Sequence, residues 1–404
     1  MPIHHIEEPG GSRAARAQRS TSPVWRLGFR PFYLAAAILA ALAIPLWMAH
    51  YPGWTHGVAM PAMQVGLGWH MHEMVFGMAT AVIVGFLYTA AQAWTGGRTP
   101  AGRHLAALLL LWCAGRVAML LGPPLLAAIV DWIFLPFAAW PLWRVLQCGG
   151  SKRNYFLVFL LGLMASANGF YHASVLGWIA LSPIAPVQAA ILVIVVMESA
   201  IGNRVIPMFT RNGAPGTVPL VQPRLDRVAL GTLAAASVCW VAGAPAWLFA
   251  PLAGLSAALV LLRLWRWQGH RTLSVPLLWI LHFSYAWVAL GMLLLALASF
   301  GKVSPSAGFH ALAVGSMAGL ILGMITRTAL GHTGRPLRAG RAELAIFILI
   351  EVAVLTRVTA ALGWDNAHGA ALLVSALCWT LAFVQYLVTY IPYLVRPRVD
   401  GKDG

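Results

Sequence analysis

Runs of about twenty apolar residues alternate with short polar, arginine-bearing segments along the whole chain. Each run is long enough to cross a hydrocarbon core of ~30 Å as a helix. A helix satisfies its own backbone polar groups, so lipid tolerates it. The pattern predicts twelve spans, over 31–50, 70–94, 104–121, 125–146, 154–172, 184–205, 227–243, 246–264, 276–299, 307–329, 342–362 and 369–394. The ten-residue alternation of a membrane barrel is absent. The expected fold is all-α, a polytopic membrane helical bundle of about twelve transmembrane helices.

The polar segments set the orientation. Cytoplasmic loops carry an excess of Lys and Arg. Starting from an inside N-terminus, the first external loop, 50–68, has neither residue, whereas the inner connections hold Arg98, Arg103, Arg144, Lys152, Arg153, Arg204 and Arg211, among others. With the tails included, 24 of the 27 basic residues fall on one side; Lys302 lies outside, and Arg116 and Arg357 lie within spans. Both termini are therefore expected in the cytoplasm. Residues 1–22 read as a disordered basic cytoplasmic tail and not as a cleavable signal, because they carry arginines without an apolar core. Residues 23–396 read as one membrane domain, and 397–404 as a second short tail. The proline-rich connection with Pro207, Pro215, Pro219 and Pro223 would divide two six-helix halves.

Composition agrees with this picture. Only 9% of residues are charged and 60% are hydrophobic, whereas roughly a quarter of an ordinary globular chain is charged. The net charge of +16 sits in clusters between apolar runs, which argues for membrane topology and against a nucleic-acid partner. Cys113, Cys148, Cys239 and Cys378 form no C-x-x-C pattern, so covalent haem attachment and thiolate zinc are disfavoured. His4 and His5 fall in the N-terminal tail.

Ionisable groups within spans mark function by default. The acids are Glu73, Asp131, Glu198 and Glu351, and the bases Arg116 and Arg357. Arg116 and Asp131 share the outer half of adjacent spans, as an ion pair would. Glu198 suits proton relay and structural pairing equally. The histidines form two layers. His70, His72, His172 and His310 lie at outer span ends, with His50, His56 and His368 in or near external loops. His282 and His332 lie towards the inner side. Imidazoles converging from several helices suit copper or haem iron. In a regular helix His70 and His72 point about 200° apart, so unless His70 precedes the first turn they serve different sites, or one supports a ligand without binding the metal. Glu73 is placed to accept a hydrogen bond from an imidazole and fix its tautomer.

An internal echo accompanies these residues. Aligning His72 with His310 also aligns Gly77 with Gly315, Gly85 with Gly323, and Thr95-Gly96 with Thr333-Gly334. Gly315, Gly319 and Gly323 form a small-residue stripe that admits a close neighbour.

Several segments together resemble the NnrS family of bacterial membrane proteins: Gly28-Phe-Arg-Pro-Phe32, Trp69-His-Met-His-Glu-Met74 with Phe76-Gly77, Trp94-Thr-Gly96, Arg204-Val-Ile-Pro207 with Phe209-Thr-Arg-Asn212, Leu281-His282, Met324-Ile-Thr-Arg327 and Leu330-Gly-His-Thr-Gly-Arg335. Gly202-Asn203-Arg204 departs from the glycine pair expected before the arginine. The resemblance implies an inner-membrane protein containing haem and copper, tied to denitrification and nitric oxide tolerance. Within that frame the candidate metal ligands are His70, His72, His172, His282, His310 and His332, with His72, His172 and His310 as one outer centre. Glu73 and Glu198 are candidates for support or proton handling. Arg30, Arg327 and Arg335 are candidate partners of haem propionates, although the positive-inside rule also accounts for them. Nitric oxide or a related small ligand, the bilayer and a membrane electron donor are the expected partners. Whether the chain is an enzyme stays open. The alternative is a secondary transporter of a metal, haem or small molecule.

Overall fold

A computed structural model describes residues 22–51, 63–363 and 368–402. His4, His5, His56 and nearly all of the 1–22 tail lie outside the described residues. Among the described residues there are twelve long helices, one for each expected span: α1 (Phe29–Ala49), α2 (Leu67–Thr95), α3 (Arg103–Leu121), α4 (Pro124–Cys148), α5 (Tyr155–Val175), α6 (Ile184–Gly213), α7 (Pro223–Val241), α8 (Ala246–Arg266), α9 (Pro276–Ser299), α10 (Pro305–His332), α11 (Arg341–Ala361) and α12 (His368–Val395). Eleven are long and apolar enough to cross a membrane. The exception is α7, whose first turn carries Arg224, Asp226 and Arg227.

Exposed leucines, valines and tryptophans cover the outside of the bundle, among them Trp140, Trp247 and Val388. A soluble protein would leave such a surface in water at a large cost; lipid accepts it. One core of buried side chains runs from Leu27 to Leu394 and joins early and late helices. α12 closes the bundle against α1 and α11. Trp379 donates to the Ala40 carbonyl at 3.0 Å, and Arg30 donates from Nη1 to the Leu394 and Arg396 carbonyls, both at 2.8 Å. The two ends of the membrane domain therefore meet at one end of the bundle.

α6 differs from expectation. The sequence places the end of this span near residue 205, with Pro207 in the loop, but the helix continues through Pro207 to Gly213. Proline removes one backbone donor from a helix interior. One turn beyond, the Thr210 hydroxyl donates to the Ile206 carbonyl at 2.9 Å and meets His282 Nε2 of α9 at 2.8 Å. Packing of this last turn against α9 outweighs the proline signal.

The internal echo has a structural counterpart. α2 and α10 are each interrupted by a π-helical stretch, Glu73–Ala79 and Ala311–Ala318. Each stretch begins directly after the aligned histidine, His72 or His310. Each helix is closed by a glycine of positive φ directly after a threonine, 67° at Gly96 and 77° at Gly334. The same shift of 238 positions carries Ala101-Gly102-Arg103, at the start of α3, onto Ala339-Gly340-Arg341, at the start of α11. The small-residue stripe on α10 receives α9: a Cβ on Gly315 would run into Trp287, one on Gly319 into Ser284, and one on Gly323 into Leu281.

Candidate metal centre

The first π stretch shapes the site. One extra residue per turn loosens the carbonyl ladder, and side chains cap what it frees. Thr80 donates to the Phe76 carbonyl. Trp112 of α3 donates its indole N–H to the Gly77 carbonyl at 3.1 Å. This wider turn carries His72, Glu73 and Gly77 on the side facing α3, α4 and α5.

Four helices deliver polar groups there. His72 presents Nδ1 to Glu73 Oε1 at 3.1 Å. Its Nε2 lies 3.1 Å from Asp131 Oδ2 and 3.0 Å from Asn168 Oδ1. His172 Nε2 lies 3.0 Å from the same Asp131 oxygen. Asn168 donates to that oxygen at 2.7 Å. Arg116 donates from Nη1 to Glu73 Oε1 at 2.7 Å and pairs through Nη2 with Asp131 Oδ1. His72 and Glu73 are fully buried, and Asp131, Asn168 and His172 nearly so. Tyr171 and Phe76 close the apolar walls, with ring centroids 4.7 and 5.1 Å from that of His72.

The arrangement suits a cation. Ligand atoms of His72, Asp131 and His172 all lie within 4.8 Å of one another. Two imidazoles and one carboxylate are a donor set that first-row metals accept. Glu73 sits behind His72 as the oxygen that orients a ligating imidazole. Charge points the same way. Glu73 and Asp131 bring two negative charges and Arg116 one positive, so neutral histidines leave one negative charge uncompensated at membrane depth, which is costly. Both ring nitrogens of His72 face oxygens. A neutral ring donates through only one of them, so the other meets its oxygens without a proton. A cation at Nε2 fills that place and leaves the Nδ1–H on Glu73. Glu73 Oε2 is buried without a hydrogen-bond partner.

The other sequence candidates lie elsewhere. His70 leaves the opposite side of α2 and stacks on Trp47 of α1, centroids 5.2 Å apart and planes 9° apart. His310 turns back onto its own helix, its Nδ1 2.7 Å from the Ser306 carbonyl. The expectation that His310 joins His72 and His172 in one centre is not what the geometry gives: the ligand atoms that lie together are those of His72, Asp131 and His172, and the Nδ1 of His310 is engaged by Ser306 of its own helix. In the inner layer, His282 meets Thr210, and His332 packs its ring against Phe29 at 5.5 Å; no hydrogen bond or ring contact joins the two among the described residues. Arg327 stacks over Phe209 and Arg335 over Tyr393, each at 3.8 Å. Arg30 holds the end of α12. Glu198 accepts from Ser316 at 2.7 Å, within the second π stretch.

Sequence reasoning gave Asp131 only to Arg116. Its role as the oxygen shared by two histidines needed α4 and α5 side by side. Asn168 went unremarked, although it precedes His172 by four and so shares its helix face.

Two of the clefts in the bundle bear on these residues. An apolar one of about 100 Å³ holds Glu198. Its walls include Val82, Ile83 and Phe86 of α2 and Leu320, Ile321 and Met324 of α10, which are equivalent positions under the 238-residue shift. A larger one of about 730 Å³ is lined by arginines. Neither is lined by a histidine, and the apolar one is far below the usual size of a cofactor site, so neither fits a haem.

No curated protein matches the chain. The NnrS protein family model matches residues 23–398, nearly the whole chain, and the chain belongs to that family of multi-pass bacterial inner-membrane proteins.

Proposed function

We propose that the protein holds a redox-active metal, copper in the first instance, between His72, Asp131 and His172, and serves the response to nitric oxide from that centre. Family membership links the chain to nitric oxide and to haem–copper biology. The observation that carries the reading is the convergence of two imidazole nitrogens on one buried carboxylate oxygen, at 3.0 and 3.1 Å, inside a charge-deficient pocket. A bound copper would supply one-electron chemistry and a site for a diatomic ligand. The chain's own residues do the rest. Glu73 orients His72, Arg116 holds both carboxylates, and Tyr171 and Phe76 exclude water. The twelve helices, α7 included, are all read as spans, with both termini cytoplasmic, because the arginine-rich connections share one side. Residues 1–22 and 397–404 are read as tails flanking one membrane domain. Haem enters this reading through family membership alone, with His282, His332, His70 and His310 as its open candidates and Arg30, Arg327 and Arg335 as propionate partners.

The test is a metal count with an absorption spectrum, oxidised and dithionite-reduced, on detergent-purified protein. Near-stoichiometric copper that is lost in His72→Ala and in His172→Ala supports the centre. Full copper in both variants, at normal expression, removes it.

A secondary carrier is the second reading. The paired α2 and α10, facing each other across an apolar cleft that holds one carboxylate, resemble the repeat interface of transporters. Metal uptake into sealed vesicles, with no metal kept through purification, would favour it.

A further inference from the structure

The 730 Å³ cleft lies between α5, α6, α7 and α8, at the end of the bundle where the arginine-rich connections gather. Arg153, Arg204, Arg211, Arg227 and Arg263 line it, and its one acid is Asp226. Arg263 forms the floor and is already engaged. It pairs with Asp226 at 3.2 Å and donates to Tyr285 at 2.7 Å and Ser199 at 2.9 Å.

The other four arginines have no carboxylate partner among the described residues. Arg204 donates to Asn154 Oδ1 at 2.8 Å. Arg211 and Arg227 reach only backbone carbonyls, at 3.4 and 3.3 Å. Arg204 and Arg211 are seven apart on α6, two turns along one face. Pro207 stands between them on the wall of the cleft. Positive charges of this density around a concave space repel one another unless an anion sits among them. Guanidinium forks match phosphate oxygens in geometry as well as charge. The mouth is also apolar: Met208 and Val221 are about half exposed beside the arginines.

We propose that this cleft is a binding site for a phosphate-bearing anion, held by Arg153, Arg204, Arg211 and Arg227 over the Arg263–Asp226 floor. The source is a lipid headgroup or a soluble phosphate compound. The apolar mouth and the membrane setting suit a headgroup whose chains leave past Met208 and Val221. This assignment is independent of the metal centre.

The experiment is native mass spectrometry of the full-length protein in detergent, titrated in turn with cardiolipin, phosphatidylethanolamine and inorganic pyrophosphate. The test variant is Arg211→Gln/Arg227→Gln, both exposed, so folding is spared. The control is Arg98→Gln/Arg338→Gln, which removes equal charge outside the cleft. A lipid site shows as cardiolipin adducts preferred over phosphatidylethanolamine, weakened roughly tenfold in the test variant and kept in the control. A soluble-phosphate site shows as pyrophosphate adducts with the same variant pattern. Equal losses in test and control, or no anion preference in the wild type, overturns the proposal.

Discussion

Gly77 and Arg116 meet with no room for a side chain between them: a Cβ on Gly77 would sit 2.8 Å from Arg116 Nη1, and as close to Leu39 Cδ2. The same atom would lie 3.0 Å from Glu73 Oε2. The glycine is therefore the gap through which Arg116 reaches the two carboxylates.

Gly77→Ala should displace the guanidinium and lower retained metal severalfold, with reduced thermal stability. Gly231→Ala on α7, where a Cβ meets nothing within 4 Å, should keep the metal and melt no lower than the wild type, because alanine is the better helix former. Metal counts and melting curves on the two purified variants check this. Normal metal in Gly77→Ala would mean that Arg116 has no part in the centre.

Removing Arg116 should cost more than removing one acid. Arg116→Gln leaves two buried carboxylates without their cation, and breaking a buried pair from one side costs about 3–5 kcal/mol. Asp131→Asn keeps the Arg116–Glu73 contact, so it should unfold at a higher temperature than Arg116→Gln while losing metal. Thermal unfolding in one detergent ranks the two.

His310→Ala should leave the copper of the His72 centre in place, because the His310 ring is bound to its own helix through Ser306. His172→Ala should remove it. Copper per chain in the two single variants separates a centre built on α2, α4 and α5 from one that also needs α10.

Beyond α12 the chain is held to the bundle by an arginine that also pairs with an acid. Arg398 donates to both oxygens of Asp400, at 2.9 and 2.6 Å, and also to the His332 carbonyl at 3.0 Å. This partner holds the Asp400 carboxyl below the usual carboxylate range. A depressed folded-state pKa contributes stability above the unfolded value, near ~4, and loses it only as pH falls below that value towards the lower folded one. The docking should therefore be constant from about pH 5 to 8 and weaken only in stronger acid. Asp400→Asn should expose the bond after Arg398 to trypsin at neutral pH. Cleavage no faster than in the wild type would show that the pair does not hold the segment.

Much of the fold was legible because lipid imposes length. Each apolar run became a helix close to its expected place, and the small-residue stripe of α10 correctly announced a tight neighbour. What failed was local. Pro207 signals a helix end, yet the contact of Thr210 with His282 of α9 lies beyond it, on the same helix. The π stretches left no separate signature, since insertion of one residue per turn changes neither composition nor run length. The pairing of Arg116 with Asp131 could be read from depth alone. That Asp131 also faces His72 and His172 could not, because depth says nothing about which helices are neighbours, and that is why His310, at the same depth, was grouped with them.

The shift that superimposes the two π stretches has a consequence for stoichiometry. It places Ala311 where Glu73 stands and Val354 where Arg116 stands. The frame shared by α2–α3 and α10–α11 thus has its histidine in both places but these charged partners in one. On this account each chain carries a single centre of the His72 type, and an assay that counts two equivalent coppers per chain would be counting something else.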